Sequence, residues 1–526
     1  MRKRLFLCGS LALILGLAGC FGKKDKDASG SNAAKAPEDS TTLSAAKLIP
    51  ENAAICVIAK DLKSVLLKLE TLPEVQMSIA KITGNFGLEA KTIAEIEAKG
   101  IDISQPVVFY MIAKDCPAIV LAVKDAEALK KALGDSGKRE DIDFVFSAKM
   151  IAFVDEDGWK TAPNTLDVVK KQLDGSGKSI ADSSVFKKSI NGVSGDIKVF
   201  MDTQRILAID QTIDEEAKKA LQQINALSLG WVVSKPGMKI DAMAQMVATS
   251  SAGKLINTCV SKPAPDVLKS LPSPALAALW INGDNNKTLL EIVTAAAEAN
   301  PDVSIEDFKK QMEQIKQMTA DAEGKNGIDL DADVFQNFSG EVVVLATNPN
   351  PMDWGVVQLK VKDEAKALNA FIRLEKTAMN QQMKALSRPD PMKPEFTLKT
   401  PKATLAIAVK NSAIVIAPTL EAMKALENPQ TKMVDSMSAN AKTSFMTNGS
   451  GALYINVQQA IQIAKMMAPK QAGMISPDMA KLNDLVIHVS VIDGSSVKAT
   501  VEINHPDAFL GVIIAQATQL SSPPRQ

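Results

Sequence analysis

The residue with the most distinctive chemical setting is Cys20, near the start of the 526-residue chain. It follows the basic residues 2–4, an apolar stretch from Leu5 to Leu15, and Leu-Ala-Gly at 17–19. A basic start, a short apolar run and small residues before a cleavage site are typical of a secretory signal. The run is too short to cross a bilayer as a stable helix, which needs about 20 apolar residues. We therefore predict that the chain is exported.

A cysteine directly after Leu-Ala-Gly resembles the lipobox of bacterial lipoproteins. The resemblance implies cleavage between Gly19 and Cys20, removal of residues 1–19 as a signal peptide, and acylation of Cys20 with fatty acids such as palmitate. An ordinary signal peptide with a chance cysteine, or an uncleaved anchor, are the alternatives. Phe21 follows the cysteine, so the Asp that retains some lipoproteins at the inner membrane is absent. By resemblance to proteobacterial sorting, this favours the outer membrane, facing the periplasm, in a cell that has one.

Composition indicates a folded body and argues against one class of partner. Hydrophobic residues make up 46% of the chain and charged residues 23%, close to ordinary globular usage. Basic and acidic residues balance at 60 each, so removal of residues 2–4 leaves the mature chain slightly acidic. Because no basic block is present that could neutralise phosphates, we expect no nucleic-acid partner. No later apolar run reaches spanning length, so the lipid on Cys20 is the only membrane attachment expected.

Short motifs that could support catalysis or metal binding fail in their spacing. Residues 175–179 end in Gly-Lys-Ser, but a phosphate-binding loop needs Gly at position 172, which is Gln. Alternating carboxylates at 329–333 lack the Gly and the bidentate Glu of a calcium loop. Only His488 and His505 are present, whereas general bases and zinc sites most often use His. We predict no catalytic, cofactor-binding or metal-ligating residue and no enzyme, with a hydrolase of unrecognised site as an alternative.

Cysteines beyond the signal are few. Cys56, Cys116 and Cys259 allow at most one internal disulfide. Buried free thiols that act as small hydrophobic side chains are favoured. A Cys56–Cys116 disulfide stays open as an alternative, because both residues lie in neighbouring apolar, strand-like segments.

The chain divides into a tether and two related modules. Residues 20–43 comprise the lipidated cysteine and a segment of low hydrophobicity and mixed charge, which predicts a disordered tether. The first module spans 44–262 and the second spans 270–520. Five short motifs recur in the same order in both, with an offset that changes once, which indicates a tandem duplication. The matched motifs are 49–50 with 271–272, 100–103 with 327–330, 162–163 with 417–418, 200–202 with 454–456, and Gly237 with Gly494.

The elements within each module predict the fold class. Four short apolar strands each run into Asp or Asn, a residue suited to capping a following helix: Asp61, Asp202, Asn282 and Asn456. Hairpin turns at 235–237 and 493–494 join consecutive strands, which favours antiparallel pairing. We therefore predict an α+β fold of two tandem modules, each a mainly antiparallel sheet with helices packed on one face. This pattern resembles exported bacterial tandem-repeat α+β proteins of unknown function, a resemblance that brings no catalytic residues.

The sequence thus favours a membrane-anchored, non-enzymatic envelope lipoprotein that binds or scaffolds another envelope component, such as an envelope protein. The chain also contains 22 methionines, and Met fills irregular cores or lines adaptable apolar grooves. A carrier of lipid or another apolar ligand is therefore the alternative function.

Overall fold

The structure, a computed structural model, describes the chain between residues 39 and 503 with gaps. The described residues are 39–69, 83, 88–113, 116–133, 138–139, 142–147, 149–155, 165–234, 237–284, 291, 294, 306–307, 309–310, 313, 329–347, 355–380, 386–399, 404–426, 429–467 and 483–503. They form two compact units, 39–247 and 248–503. None of the helices in these residues is both long enough and apolar enough to cross a membrane.

The described residues of the first unit build an antiparallel sheet. Its strands are β1 (Ile55–Ala59), β2 (Ile101–Asp102), β3 (Val107–Ala113), β4 (Cys116–Val123), β5 (Lys138–Arg139), β6 (Ile142–Phe146), β7 (Met150–Asp155), β8 (Ile197–Asp202), β9 (Ile224–Ser234) and β10 (Gly237–Met246). Their spatial order is β10–β9–β8–β1–β3–β4–β7–β6–β5, with β2 beside the end of β4. The helices are α1 (Ser40–Ala46), α2 (Leu62–Leu69), α3 (Ile93–Ala98), α4 (Ala126–Leu133), α5 (Thr165–Leu173), α6 (Ser184–Gly192), α7 (Thr203–Ile209) and α8 (Glu215–Gln222).

The second unit has the same kind of sheet. Its strands are β11 (Ala277–Asn282), β12 (Phe338–Ala346), β13 (Val356–Val361), β14 (Leu386–Ser387), β15 (Glu395–Lys399), β16 (Thr404–Lys410), β17 (Ala413–Ala417), β18 (Gly451–Asn456), β19 (Asp484–Asp493) and β20 (Ser496–Ile503). They lie in the order β20–β19–β18–β11–β12–β13–β17–β16–β15–β14. Its helices are α9 (Ser251–Ile256), α10 (Glu364–Asn380), α11 (Leu420–Ala425), α12 (Met433–Ser436), α13 (Ala439–Phe445) and α14 (Val457–Met467).

The two units therefore share one strand order, apart from the short β2 of the first and β14 of the second. The register agrees as well. In the first unit, Cys56 of β1 lies opposite Phe200 of β8. In the second, Ala278 of β11 lies opposite Tyr454 of β18. Residues separated by the offsets seen in the sequence thus occupy equivalent positions in the two sheets.

Backbone hydrogen bonds outside the strands repeat in the same way. In the first unit, the amide of Glu51 donates to the carbonyl of Lys178 at 2.9 Å, and the amide of Ile180 donates to that of Ile49 at 3.0 Å. In the second unit, the amide of Ser273 donates to the carbonyl of Thr431 at 2.9 Å. The amide of Met433 donates to the carbonyl of Leu271 at 2.8 Å. In each unit, the segment before the first strand is therefore fixed to the same distant loop.

The predicted α+β class with mainly antiparallel sheet is confirmed, but the helices cover both faces of the sheet and not one. Along β4, the side chains of Ala118 and Val120 face a core formed with α1, α5 and α6. The alternate residues Ile119 and Leu121 face a second core formed with α3 and α4. Because side chains alternate between faces along a strand, a strand that is apolar throughout needs cover on both sides. The second unit repeats this at β16, with α11 and α10 on opposite faces.

Three of the four predicted caps are present. Asp61 accepts from the amide of Ser64 at 2.8 Å, and Asp202 caps α7 through the amide of Arg205. Asn456 accepts from the amide of Gln459 at 2.9 Å, the usual role of such residues at helix starts.

The fourth predicted cap, Asn282, has a different role. Its side-chain amide donates to the carbonyls of Pro263 and Gly449 at 3.1 and 3.2 Å. Asn282 therefore links β11 to two distant segments of its own unit.

The first helix, α1, begins within the predicted tether, because Asp39 anchors its start. Asp39 accepts from the amide and hydroxyl of Thr42 at 3.2 and 2.8 Å. The same carboxylate pairs with Lys60 and, at 3.1 Å, with Lys198. Lys198 is only 3% exposed and also donates to the carbonyl of Ile190 at 2.9 Å. Strand β8 and the residue that follows β1 thus supply the cations that hold the N-terminus of α1.

Asp39 links stability to pH. Burial alone raises its pKa, but the hydrogen bonds from Lys60, Thr42 and Lys198 outweigh burial and hold the pKa well below its ordinary value. Replacement Asp39→Asn keeps a capping oxygen but removes the charge that faces the buried Lys198 ammonium. We expect urea unfolding of the intact chain at pH 7 to show a loss of about 1–2 kcal/mol.

The pH dependence of the unfolding free energy tests whether the charge of Asp39 causes the loss. A carboxylate with a lowered folded-state pKa stabilises the fold fully above its unfolded-state pKa of about 4, and this contribution is lost as the pH falls. The difference between wild type and Asp39→Asn should therefore narrow below about pH 4. Asp167→Asn, at an exposed carboxylate of α5, should change little at any pH. A difference that stays constant down to about pH 2.5 would contradict this role for Asp39.

Candidate functional site

The sequence-predicted site residues Gly19 and Cys20 lie outside the described residues, as does His505. The other residues with potential chemistry, which are the cysteines of the folded units, His488 and the carboxylates of 329–333, lie within units that the structure describes.

Cys56 and Cys259 are buried side chains. Cys56 is a free thiol with an exposed fraction of 0%, and Cys259 has an exposed fraction of 3%. Burial raises the pKa of the Cys56 thiol to about 12, so it remains protonated at neutral pH. Cys56 therefore acts as a small apolar side chain, one of the two states that the sequence left open. Cys116 lies in β4, and its side chain is outside the described part of the chain.

His488 belongs to the interior of the second unit. It lies in β19 with 8% of its surface exposed, and its ring centroid is 6.4 Å from that of Trp280. A Cβ atom at Gly449 would lie 2.3 Å from His488 Nε2. The close contact requires glycine at position 449, and it indicates a packing role for the imidazole.

Asp329 and Asp333 serve a local turn and an ion pair, and the side chain of Asp331 lies outside the described residues. Residues Leu330–Phe335 form one turn of π-helix, and Asp329 accepts from the amide of Ala332 at 3.0 Å. Asp333 pairs with Arg373 of α10. Across the described residues, no three His, Cys, Asp or Glu side chains lie close enough together to hold a metal ion.

The first unit contains a groove of about 550 Å³, which we call the α5–α7 groove. Its walls are the segment before β1, the end of β3, α5, the loop after α5, and α7. The lining residues are Pro50, Glu51, Asn52, Ile112, Val168, Lys171, Gln172, Gly177, Lys178, Arg205, Ala208 and Ile209. Its volume is within the usual range of about 300–1,000 Å³ for small-molecule sites.

Side-chain hydrogen bonds hold the loop of this groove in place. Gln172 is 3% exposed and donates through Nε2 to the carbonyl of Lys47. Ser179 donates to the carbonyl of Ala46 at 2.8 Å. A Cβ atom at Gly177 would lie 2.4 Å from the Gln172 side-chain oxygen, so a larger residue there would displace this buried side chain. Gly177 and Lys178, which belong to the segment whose spacing does not fit a phosphate-binding loop, thus line the groove.

The basic residues of the groove differ in whether the protein itself binds their charged groups. Arg205 is held by the structure: its guanidinium donates to the carbonyls of Glu51 and, at 3.2 Å, Ala53, and it pairs with Asp202. Lys171 and Lys178 are exposed, and neither forms a salt bridge within the described residues, although Lys171 helps to lower the pKa of the nearby Asp174 carboxyl. Their ammonium groups are therefore available to a ligand. The groove was not predicted from the sequence, because its residues come from four separate stretches of the chain.

We predict that Gln172 maintains the groove wall. Replacement Gln172→Leu fills a similar volume but leaves the Lys47 carbonyl without its donor. We expect the intact chain to lose about 1–3 kcal/mol of unfolding free energy, the usual cost of an unsatisfied buried polar group. Amide hydrogen exchange in 175–180 should rise at the same time. The exposed change Lys170→Gln on the same helix is the control, and equal stability of the two variants would refute the prediction.

Comparisons with known proteins give one family match. A family model described as "Protein of unknown function (DUF3352)" matches residues 163–504. Crystal form I of TP0453 is 10% identical, with a TM-score of 0.24, over 38% of this chain and 78% of that chain. Crystal form III gives 10% identity and a TM-score of 0.24 over 40% and 84%. At these scores the likeness carries no argument about fold or function. No curated protein matches the chain.

Proposed function

We propose that this chain, which belongs to the DUF3352 family of proteins of unknown function, is a lipid-anchored, non-enzymatic protein of the bacterial cell envelope. In this proposal it binds or scaffolds another envelope component. The observation that carries the proposal is the sequence around Cys20, where a basic start and a short apolar run precede Leu-Ala-Gly-Cys. This arrangement supports export, cleavage after Gly19 and acylation of Cys20.

The position of the first helix is consistent with such an anchor. Helix α1 begins at Ser40, about 20 residues after Cys20. Residues 20–38 lie outside the described residues; as the flexible tether that we propose, they would span on the order of 25 Å. The folded units would then stay close to the membrane surface, and the absence of Asp after Cys20 favours the outer membrane.

We also propose that the two units arose by tandem duplication. Their common strand order, the matching register of β1 with β8 and of β11 with β18, and the repeated backbone hydrogen bonds support it. Two copies of one scaffold on a single anchor suit a binding or scaffolding role, because each copy offers its own surface to a partner.

The anchor can be tested by metabolic labelling with a clickable palmitate analogue in a bacterial host. We expect the wild-type chain to incorporate label and to lose residues 1–19, and we expect Cys20→Ala to do neither. Cys8→Ala is the matched control, because Cys8 lies in the segment that is removed. Labelling that persists in Cys20→Ala, or a wild-type chain without label, would overturn the proposed anchor.

The binding role can be tested by chemical crosslinking in intact cells, followed by mass spectrometry of the linked peptides. We expect wild-type protein to crosslink reproducibly to an envelope component through residues of 39–503. Cys20→Ala should alter this set, because the folded units lose their lipidated attachment. The same crosslinks in both variants would separate the binding role from the anchor, and no crosslinked component in wild-type cells would contradict the binding role.

A further inference from the structure

We propose that the α5–α7 groove binds the head group and first acyl carbons of an anionic phospholipid. The inference rests on the proposed function and deepens it, since it names a membrane component as a partner. Two kinds of side chain that line the groove, basic and apolar, support it.

The basic residues of the groove favour an anion. The lining residues include three basic side chains, those of Lys171, Lys178 and Arg205, and one carboxylate, that of Glu51. The chain as a whole has no net charge. Charge-assisted hydrogen bonds to phosphate are stronger than neutral ones. Arg205 is already bonded to the protein, so the exposed ammonium groups of Lys171 and Lys178 are the groups that would contact the phosphate.

The fold does not need this charge. The second unit builds the same frame, in which Ser273 and Thr431 form the backbone hydrogen bond that corresponds to Glu51 and Lys178. Thr431 therefore occupies the place of Lys178. Arg205 and Gln459 are separated by the same number of residues as the equivalent pair Phe200 and Tyr454, so Gln459 occupies the place of Arg205. Both Thr431 and Gln459 are uncharged. At the positions of Lys178 and Arg205 the second unit thus carries no cation, so the shared backbone frame does not require a basic residue at either place.

The apolar residues of the groove favour an amphiphile over a free anion. Ile112, Val168 and Ile209 line it and are each only partly buried. Ala208 is exposed in α7 and keeps the opening wide. Partly exposed apolar side chains in a concave surface gain free energy when a ligand covers them. Acyl carbons next to a phosphate supply both features.

The location of the groove relative to the start of the fold favours a membrane lipid over an acidic peptide. Its wall includes Pro50 and Glu51, which follow α1, and α1 begins where the proposed tether ends. Helix α1 has seven residues and is therefore about 10 Å long at 1.5 Å per residue. The groove thus lies near the start of the folded unit, where the proposed tether would hold it within reach of the membrane surface.

The test uses the intact chain in a nonionic detergent and short lipids below their micelle concentration. Dihexanoyl phosphatidylglycerol should bind with 1:1 stoichiometry in calorimetry and native mass spectrometry. Dihexanoyl phosphatidylcholine, with the same tails and no net charge, should bind at least about tenfold more weakly, a difference of about 1.4 kcal/mol. Glycerol phosphate, which lacks the tails, should bind more weakly still. Equal affinity for the two lipids would overturn the proposal.

Variants localise the binding. Lys171→Gln combined with Lys178→Gln should weaken phosphatidylglycerol binding about tenfold or more. Ala208→Trp should abolish binding while it keeps every charge, because the indole fills the groove. Lys130→Gln combined with Lys131→Gln, at two exposed lysines of α4, is the matched control and should bind as wild type. Unfolding midpoints equal to wild type would establish that the variants are folded, and unchanged binding by both groove variants would refute the site.

Two further outcomes identify other ligands. Glycerol phosphate that binds as tightly as the lipid would assign the groove to a free anion. An acidic peptide that outcompetes the lipid would assign it to a protein partner. Both results would overturn the lipid proposal. Palmitate labelling of Cys20 is measured separately, so loss of the anchor and loss of lipid binding are distinguishable results.

Discussion

Each unit depends on one constraint, the pairing of its first strand on both edges with strands from much later in the chain. Strand β1 lies between β3 and β8, and β11 lies between β12 and β18. The backbone N–H and C=O groups of a buried strand need hydrogen-bond partners on both edges. Neither sheet is therefore complete until the later strands, β8 and β18, pair with the first strand of their unit. The return also brings the loop after α5 against the segment before β1, and this contact forms the wall of the α5–α7 groove. The fold and the candidate site therefore have the same origin.

The same constraint explains why the two units agree in backbone and differ in side chains. The repeated hydrogen bonds between the lead-in segment and the distant loop join main-chain atoms, which any residue except proline can supply as donors. Side chains at these positions are free to vary. The first unit places an Asp39–Lys198 ion pair beside its sheet, whereas the second has Trp280 Nε1 donating to the Phe445 carbonyl at 2.9 Å in its core. Because backbone bonds hold this frame, the two copies can differ in charge at the positions of Lys178 and Arg205.

Local patterns predicted the parts of the fold that depend on neighbours in sequence. The α+β class, the antiparallel hairpins and the caps at Asp61, Asp202 and Asn456 follow from periodicity and turn chemistry. Asn282 has the same local setting, but carbonyls of distant residues satisfy its amide instead. Helix α1 has no apolar period at its start, and its Asp39 cap depends on lysines of β8 and the end of β1. The helices on both sheet faces likewise depend on tertiary packing.

The α5–α7 groove illustrates the same limit at the level of function. Residues 175–179 carry glycines and a lysine, and their spacing excludes the phosphate-binding loop that the motif suggests. Their actual position follows from Gln172, Ser179 and the bonds between Glu51 and Lys178, which join stretches far apart in sequence. A motif scan tests whether one segment can bind a ligand alone. The residues of the groove come from several segments that the folded sheet brings together, and none of these segments forms a recognisable motif by itself. The two exposed lysines and the apolar side chains become one surface only because the fold places them side by side.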